Sequence, residues 1–161
     1  MVHRFGTRNP FEIANRLGIK VMFRDDFISL KGMYAVFKRT RFIILNANLS
    51  VQLKRLVCAH ELGHDQLHRY LATNEALKEY LLMDMTTWPE NEANIYAAHL
   101  LLDEDDIVEF VEDGLDAYQI ANELNETYEI LLLKMREMNK QGYNFNIPYI
   151  PPSDFLGKNK K

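Results

Sequence analysis

The sequence is poor in cysteine and contains no long apolar run. These two absences argue against a protein held together by disulfides and against one that spans a membrane. Its 161 residues include one cysteine, Cys58, which cannot form an internal disulfide. The longest apolar stretches, such as residues 95–102, are much shorter than the roughly 20 residues that a membrane helix needs. Charged side chains are spread through the first twenty residues, where a signal peptide would have an apolar core. We therefore expect a cytoplasmic protein with no membrane role.

The composition favours one compact domain, because 47% of the residues are hydrophobic and no abrupt change in composition divides the chain. We predict a domain over residues 1–140, with the sheet and the site helices in 1–102 and further helices in 103–140. Residues 141–161 contain three prolines and end in lysines, so we predict an extended or disordered tail.

The charge is unevenly distributed along the chain. Residues 1–55 hold eleven Lys and Arg against three Asp and Glu, whereas the remainder is strongly acidic. Such a division can indicate a nucleic-acid or acidic partner, or two parts of one fold that attract each other. We favour the second interpretation. Lys38, Arg39 and Arg41 cluster at a predicted hairpin and are the basic residues to test first for partner contact.

The pattern of apolar residues and turn signals predicts an α+β fold. Helix signals cover residues 10–17, from Asn9 as cap to Gly18 as stop. Segments 19–23, 32–37 and 41–46 are rich in β-branched and aromatic residues and predict a small three-stranded antiparallel sheet. Helices are predicted from Ser50 to about Tyr70, near residues 75–82, and over 91–102, 103–113, 118–124 and 128–139.

The long predicted helix carries His60-Glu61-Leu62-Gly63-His64, an H-E-x-x-H motif. This spacing places two imidazoles one turn apart on one helix face, where both can bind a single Zn²⁺ ion. The histidines share a stripe with Leu53, Leu56, Leu67 and Leu71, which predicts that they point into the protein. Buried imidazoles need a hydrogen-bond partner or a metal, so the pattern favours a zinc hydrolase.

Two neighbours of the histidines fit this chemistry. Glu61 lies at the edge of the same stripe, where it can act as general base on a water without being a ligand. Gly63 lies in the middle of the helix, where glycine costs about 1 kcal/mol relative to alanine. A close approach by another backbone would compensate for that cost.

Two histidines leave the site incomplete, since catalytic zinc normally has three protein ligands and a water. Glu90 and Glu92 are the leading candidates for the third. Thr87-Trp88-Pro89-Glu90 fits a helix-capping box, which would occupy Glu90 with backbone amides. Glu92 is therefore the predicted ligand, with Glu90 as the open alternative.

Three further polar residues lie near these positions in the sequence. His68 is about 12 Å along the helix from His60, too far to share one ion comfortably, and is predicted to support the site or to lie satisfied in the core. Tyr96 and His99 share a helix face with Glu92, so either can donate to an oxyanion. Both positions are explained equally well by side chains that pack in the core and leave only their polar end accessible.

Residues 60–68, HELGHDQLH, and residues 91–102, NEANIYAAHLLL, together resemble the ImmA/IrrE family of metallopeptidases. That family pairs such a histidine helix with an E-A-N helix after a small sheet. Tyr96 stands where the family often has Phe, and Asp103-Glu104 where it often has Met-Pro. The resemblance implies that His60, His64 and Glu92 bind one Zn²⁺ ion and that Glu61 activates the water.

The resemblance also implies a biological role. Family members of this size occur on phages and integrative elements and are implicated in cutting the element's own helix-turn-helix repressor. We therefore expect a site-specific zinc endopeptidase whose partner is a transcriptional repressor protein.

A regulatory module that keeps the metal for structure and binds a repressor or DNA is the alternative. Residues 118–139 have the outline of a helix-turn-helix. Residues 116–142 nevertheless hold five acidic and three basic side chains, whereas a DNA-binding surface is net basic. The charge therefore argues against direct nucleic-acid binding, and Glu61 argues for the enzyme because a structural zinc site needs no base.

Overall fold

The structure is a computed structural model that describes residues 2–73 and 88–156, without the side chains of residues 71 and 73. It confirms the α+β class. The elements of the first half, in chain order, are α1 (Val2–Phe5), α2 (Pro10–Arg16), β1 (Lys20–Arg24), β2 (Gly32–Phe37), β3 (Thr40–Asn46), α3 (Val51–Leu67) and α4 (Arg69–Thr73). The elements of the second half are α5 (Trp88–Leu101), α6 (Glu104–Glu112), α7 (Ala117–Glu123) and α8 (Tyr128–Lys140). The helix predicted near residues 75–82 lies outside the described residues.

The sheet is mixed, so the prediction of an antiparallel sheet is wrong for one pair of strands. The strand order is β1-β3-β2, with β3 parallel to β1 and antiparallel to β2. The loop of residues 25–31 carries the chain past the end of β3 instead of closing a hairpin. Asn46 holds this loop, since its amide donates to the carbonyls of Phe27 and Leu30 at 3.2 and 3.0 Å.

The turn between β2 and β3 has an unusual backbone. Lys38 and Arg39 both have positive φ, 46° and 64°, as the two central residues of a tight hairpin turn require. Both side chains are exposed at the tip. Arg41, which the sequence grouped with them, instead pairs with the buried carboxylate of Asp65 at 2.9 Å.

Helix α3 is the centre of the fold. It packs against β2 and β3 on one side and against α5 on the other. Every residue from Leu56 to Gly63 is buried. This part of the helix is therefore covered on all its faces, whereas the sequence predicted one buried stripe. The stripe also ends early, because the side chain of Leu67 is 45% exposed.

Basic residues of the first half pair with acidic residues of the second half. Arg8 donates to the carbonyls of His99, Leu100 and Leu102 at the end of α5 and pairs with Asp103. Arg55 on α3 pairs with Glu126 in the turn before α8. These contacts agree with the prediction that oppositely charged parts of one fold attract each other.

Gly63 allows α3 and α5 to lie in contact. A Cβ atom at this position would lie 2.9 Å from the Cα of Ala93 and 3.2 Å from its carbonyl oxygen. The close backbone approach predicted from the sequence is therefore present. It brings the histidines of α3 next to the first turns of α5.

We expect Gly63→Ala to lower the free energy of unfolding by about 1–2 kcal/mol, because the clash with the Ala93 backbone outweighs the better helix propensity of alanine. Urea unfolding followed by circular dichroism measures the effect. Asn122→Ala, at an exposed position of α7, is the matched control and should be neutral or slightly stabilising. Equal stability of Gly63→Ala and wild type would show that the two helices need no such close approach.

Glu126 is a buried acid that should make stability depend on pH. One carboxyl oxygen pairs with Arg55, and the other has no hydrogen-bond partner among the described residues. Burial raises the pKa of Glu126 to about 7 from 4.5, although the charge of Arg55 and its hydrogen bond act in the opposite direction. Between these two values the folded protein keeps a proton that the unfolded chain loses, so the free energy of unfolding falls as the pH rises through this window.

We expect Glu126→Gln to reduce the decline of the free energy of unfolding with rising pH. Unfolding free energies measured in urea at about pH 5 and about pH 7.5 should fall for the wild type and change less for the variant, because glutamine has no proton to lose. A decline of the same size in both proteins would show that Glu126 ionises normally in the folded state.

The segment after α8 contains no helix or strand over residues 141–156, and part of it packs against the protein. Pro151 and Leu156 are buried, and Phe155 contacts the core. Asn139 at the end of α8 exchanges two hydrogen bonds with the backbone of Phe145, at 2.8 and 2.9 Å. The described part of the tail therefore buries more than the sequence suggested.

Candidate metal centre

Successive turns of α3 bring His60 and His64 together. Their Nε2 atoms are 3.1 Å apart and their ring centroids 4.7 Å apart. Because the helix is buried here, His60 is 5% exposed and both rings lie against α5. The structure thus agrees with the expectation that the histidines face inward.

The carboxylate beside the two histidines belongs to Glu90, not to Glu92. The oxygens of Glu90 lie 3.2 Å from His60 Nε2 and 3.3 Å from His64 Nε2. The three residues can each offer one ligand atom, all within 4.8 Å of one another. In the described part of the chain no other acid joins this group.

Glu92 occupies a different position from the one predicted. Its carboxylate accepts from Nε2 of His68 at 2.9 Å. Two residues along a helix correspond to a rotation of about 200°, so Glu90 and Glu92 project in different directions. The side chain of Glu90 turns toward α3. The predicted capping box cannot be assessed, because its cap residue, Thr87, lies outside the described residues.

Hydrogen bonds behind the histidines fix where their protons lie. Nδ1 of His60 lies 2.8 Å from Oδ1 of Asn94, whose Nδ2 donates to the carbonyl of Ser153 at 2.6 Å. A carbonyl only accepts, so the amide orientation is determined, and Asn94 Oδ1 must accept a proton from His60 Nδ1. The Nε2 atom of a neutral His60 therefore carries a lone pair.

The same reasoning applies to His64 through His68. Nε2 of His68 donates to the Glu92 carboxylate, which leaves its Nδ1 to accept from Nδ1 of His64 at 3.2 Å. Burial lowers the pKa of His68, against the opposing effect of Glu92, which favours this neutral form. His64 Nε2 is then a second lone pair pointing at the Glu90 carboxylate.

Two imidazole lone pairs and a carboxylate therefore converge on one point. Such a group of acceptors must be neutralised by extra protons on the rings or by a cation. Two neutral imidazoles and one carboxylate form a donor set of catalytic zinc sites, and the hydrogen bonds behind them are of the kind that orients such ligands. The residues present therefore fit a zinc ion.

The pKa of Glu90 is consistent with a ligand that stays ionised. Burial alone would raise it, but when His60 and His64 carry the extra protons that neutralise the group, hydrogen bonds from these rings and their charges hold the pKa of Glu90 well below its usual range.

Glu61 lies beside this group on the side of the sheet. It is 6% exposed, and its carboxylate accepts from the backbone N–H of Tyr34 on β2. Burial raises the pKa of Glu61 to about 7, and the charge of Glu90 adds to this, whereas His64 and the Tyr34 N–H lower it. A carboxyl group with a pKa near neutrality is suited to taking up and releasing a proton at physiological pH.

Asp65, which follows His64, ties the site to the sheet. This fully buried carboxylate accepts from the Tyr34 hydroxyl at 2.8 Å and pairs with Arg41 and Arg69 at 2.9 and 3.0 Å. It thus connects β2, β3, α3 and α4 directly behind the histidines. In the sequence, the position of Asp65 next to the motif is the one hint of this role.

Tyr96 and His99, the predicted candidates for donation to an oxyanion, lie in different surroundings. The Tyr96 hydroxyl is buried with no hydrogen-bond partner among the described residues, and burial, followed by the charge of Asp65, raises its pKa to about 12. Nδ1 of His99 lies 2.9 Å from Nζ of Lys134 and 4.0 Å from Glu104. His99 thus joins α5 to α6 and α8.

Asn94 is a site residue that the sequence did not predict. It is 1% exposed and lies one turn after Glu90 on the same face of α5. That i,i+4 spacing was visible in the sequence, as was the position of Asn94 in the E-A-N segment. Only the structure shows that Glu90 and Asn94 both face His60.

The predicted helix-turn-helix residues form α7 and α8, but α8 is unsuited to reading DNA. Most of this helix is buried, including the four consecutive leucine and isoleucine residues from Ile130 to Leu133 and the side chain of Lys134, which is 2% exposed. A recognition helix must be free to enter a groove.

In the described part of the chain, no helix is long and apolar enough to span a membrane.

Comparison with known proteins identifies the family of the chain. A peptidase family model described as the IrrE N-terminal-like domain matches residues 14–136. The chain is 36% identical over 102 residues to "Uncharacterized immunity region protein 2" of Bacillus phage phi105, a match covering 63% of each chain. It is 29% identical over 103 residues to "Metallopeptidase ImmA" of Bacillus subtilis strain 168, which covers 63% of this chain and 59% of that protein. The chain therefore spans less than two thirds of the length of these curated relatives.

Proposed function

Because the chain belongs to the peptidase family of the IrrE N-terminal-like domain, we propose that it is a zinc-dependent, site-specific endopeptidase. Its substrate is a helix-turn-helix transcriptional repressor of a phage or integrative element, and cleavage relieves repression. The observation that carries the proposal is the convergence of His60, His64 and Glu90, with Glu61 beside them.

Different residues of the site have different roles in hydrolysis. His60, His64 and Glu90 hold the metal, while Asn94 and His68 orient the two imidazoles from behind. A bound Zn²⁺ ion supplies a Lewis acid for the scissile carbonyl and makes water a usable nucleophile near neutral pH. Glu61 takes a proton from the attacking water and passes it to the leaving amine, so that one water is consumed for each peptide bond broken.

The edge of β2 supports a peptide substrate. Within the described residues β2 pairs with β3 on one side only, and the Tyr34 N–H that meets Glu61 points away from β3. An extended peptide can add to such an edge through backbone hydrogen bonds, with its side chains selecting the sequence. A peptide bound there would pass close to Glu61.

The names of the relatives favour the repressor as substrate. One is called an immunity region protein of a phage and the other the metallopeptidase ImmA. A role in a phage immunity region is compatible with the repressor substrate that the resemblance to the ImmA/IrrE family implies.

The experiment is to incubate the purified full-length protein, loaded with Zn²⁺, with the helix-turn-helix repressor encoded beside its gene. We expect two defined fragments, whose ends mass spectrometry locates, and no cleavage after treatment with a chelator. A stable complex with intact repressor would instead support the alternative, a non-proteolytic binding module. Failure to bind Zn²⁺ at all would refute the proposed site itself.

A further inference from the structure

A hydrogen bond connects the C-terminal segment to the metal centre. Asn94 Nδ2 donates to the carbonyl of Ser153 at 2.6 Å. Buried residues on both sides of Ser153 hold the segment in place, since Pro151 is buried and Leu156 is only 9% exposed. The backbone carbonyl is thus fixed at the position where it meets the amide.

Asn94 relays this contact to the ligand. Its Oδ1 accepts from Nδ1 of His60 at 2.8 Å, and the side chain is almost completely buried. The two ends of an amide have nearly the same shape but opposite hydrogen-bonding roles. The Ser153 carbonyl at the far end accepts from the NH₂ group, so it favours the orientation in which Oδ1 faces His60.

We propose that Asn94 is a positioning residue for His60 and that the docked segment of residues 151–156 sets its orientation, so that docking raises the affinity for zinc. This inference rests on the proposed zinc site. In the absence of Ser153 the amide can rotate and present its NH₂ group to His60 Nδ1. His60 would then carry its proton on Nε2, the atom that must bind the metal.

Asparagine and aspartate at position 94 should respond differently to loss of the segment. Asn94→Ala removes the partner of His60, and substitutions behind a zinc ligand typically cost about 10- to 100-fold in metal affinity. Asn94→Asp has two equivalent oxygens, so it accepts from His60 in either orientation. The aspartate variant therefore needs no Ser153 carbonyl to orient it.

The test is a double-mutant cycle on Zn²⁺ binding, measured by competition with a chromogenic chelator. The proteins are wild type, Asn94→Ala and Asn94→Asp, each as the full chain and as a chain ending at Ile150. The absorption spectrum of bound Co²⁺ reports the ligand geometry independently of activity. Ile120→Ala, in the core of α7, controls for a general loss of stability.

We expect the truncation to lower zinc affinity several-fold in the wild type and not at all in Asn94→Ala or Asn94→Asp. In the full-length aspartate variant the second carboxylate oxygen faces the Ser153 carbonyl, which is another acceptor, so this variant should bind Zn²⁺ no more tightly than its truncated form. If the truncated chain fails to fold, Leu156→Ala in the full chain, which loosens the end of the segment, replaces it in the cycle.

Two results would overturn the inference. One is an equal loss of affinity on truncation in all three backgrounds, because the segment would then act only on general stability. The other is a wild-type affinity for Asn94→Ala. A wild type that binds no Zn²⁺ would instead refute the proposed function, so the two failures are distinguishable.

Discussion

Glu61→Gln is expected to lower the rate of repressor cleavage by about 10²- to 10⁴-fold, the contribution typical of a positioned general base. Glutamine has nearly the same shape as glutamate, and its carbonyl oxygen can still accept from the Tyr34 N–H. It cannot take a proton from water. The variant should therefore keep its fold and its metal while it loses cleavage.

The measurement is the initial rate of repressor cleavage, with bound zinc determined on the same samples. Glu126→Gln is the matched control, because it is the same substitution of another buried glutamate and lies outside the metal group. It should cleave at the wild-type rate. Undiminished cleavage by Glu61→Gln with the metal bound would remove Glu61 from the mechanism.

The sequence predicted the local elements well because their signals are local. Asn9 caps α2 as predicted, accepting from the Phe11 N–H, and Gly18 follows that helix with a φ of 71°. The two histidines are joined by the geometry of one helix, so their meeting followed from spacing alone. The contact of Gly63 with α5 was likewise predictable from the cost of glycine in a helix.

Features that depend on how elements meet were less predictable. The order of the strands depends on where the loop of residues 25–31 passes, and the amide of Asn46 that holds this loop acts from another strand. The choice between Glu90 and Glu92 depends on the rotation of α5 about its axis. The rotation follows from packing against α3, where Ala93 meets Gly63.

The hydrogen bonds behind the histidines also depend on how separate elements meet. Asn94 and Glu92 each support one histidine, but their partners are 34 and 24 residues away in the chain. The Ser153 carbonyl is 59 residues from Asn94. No periodicity in the sequence links these positions, so only the packed structure reveals that they act together.

The rotation of α5 leads to a second large effect. We expect Glu90→Gln to lower zinc affinity by more than about 100-fold, beyond the range of about 10- to 100-fold typical of residues that only support a ligand. Glutamine lacks the negative charge that balances the ion, and its amide nitrogen would face two imidazole lone pairs. Glu92→Gln should cost about 10-fold or less, because its carbonyl oxygen can still accept from His68.

Competition with a chromogenic chelator ranks the two variants directly, and Glu109→Gln, at an exposed position of α6, should bind zinc as the wild type does. The order of the two zinc affinities tests the assignment more directly than the size of either loss. If Glu90 is the ligand, its variant loses zinc while Glu92→Gln retains most of its affinity, with a Co²⁺ spectrum close to that of the wild type. The opposite order would return the role of ligand to Glu92 and require α5 to turn about its axis when the metal binds.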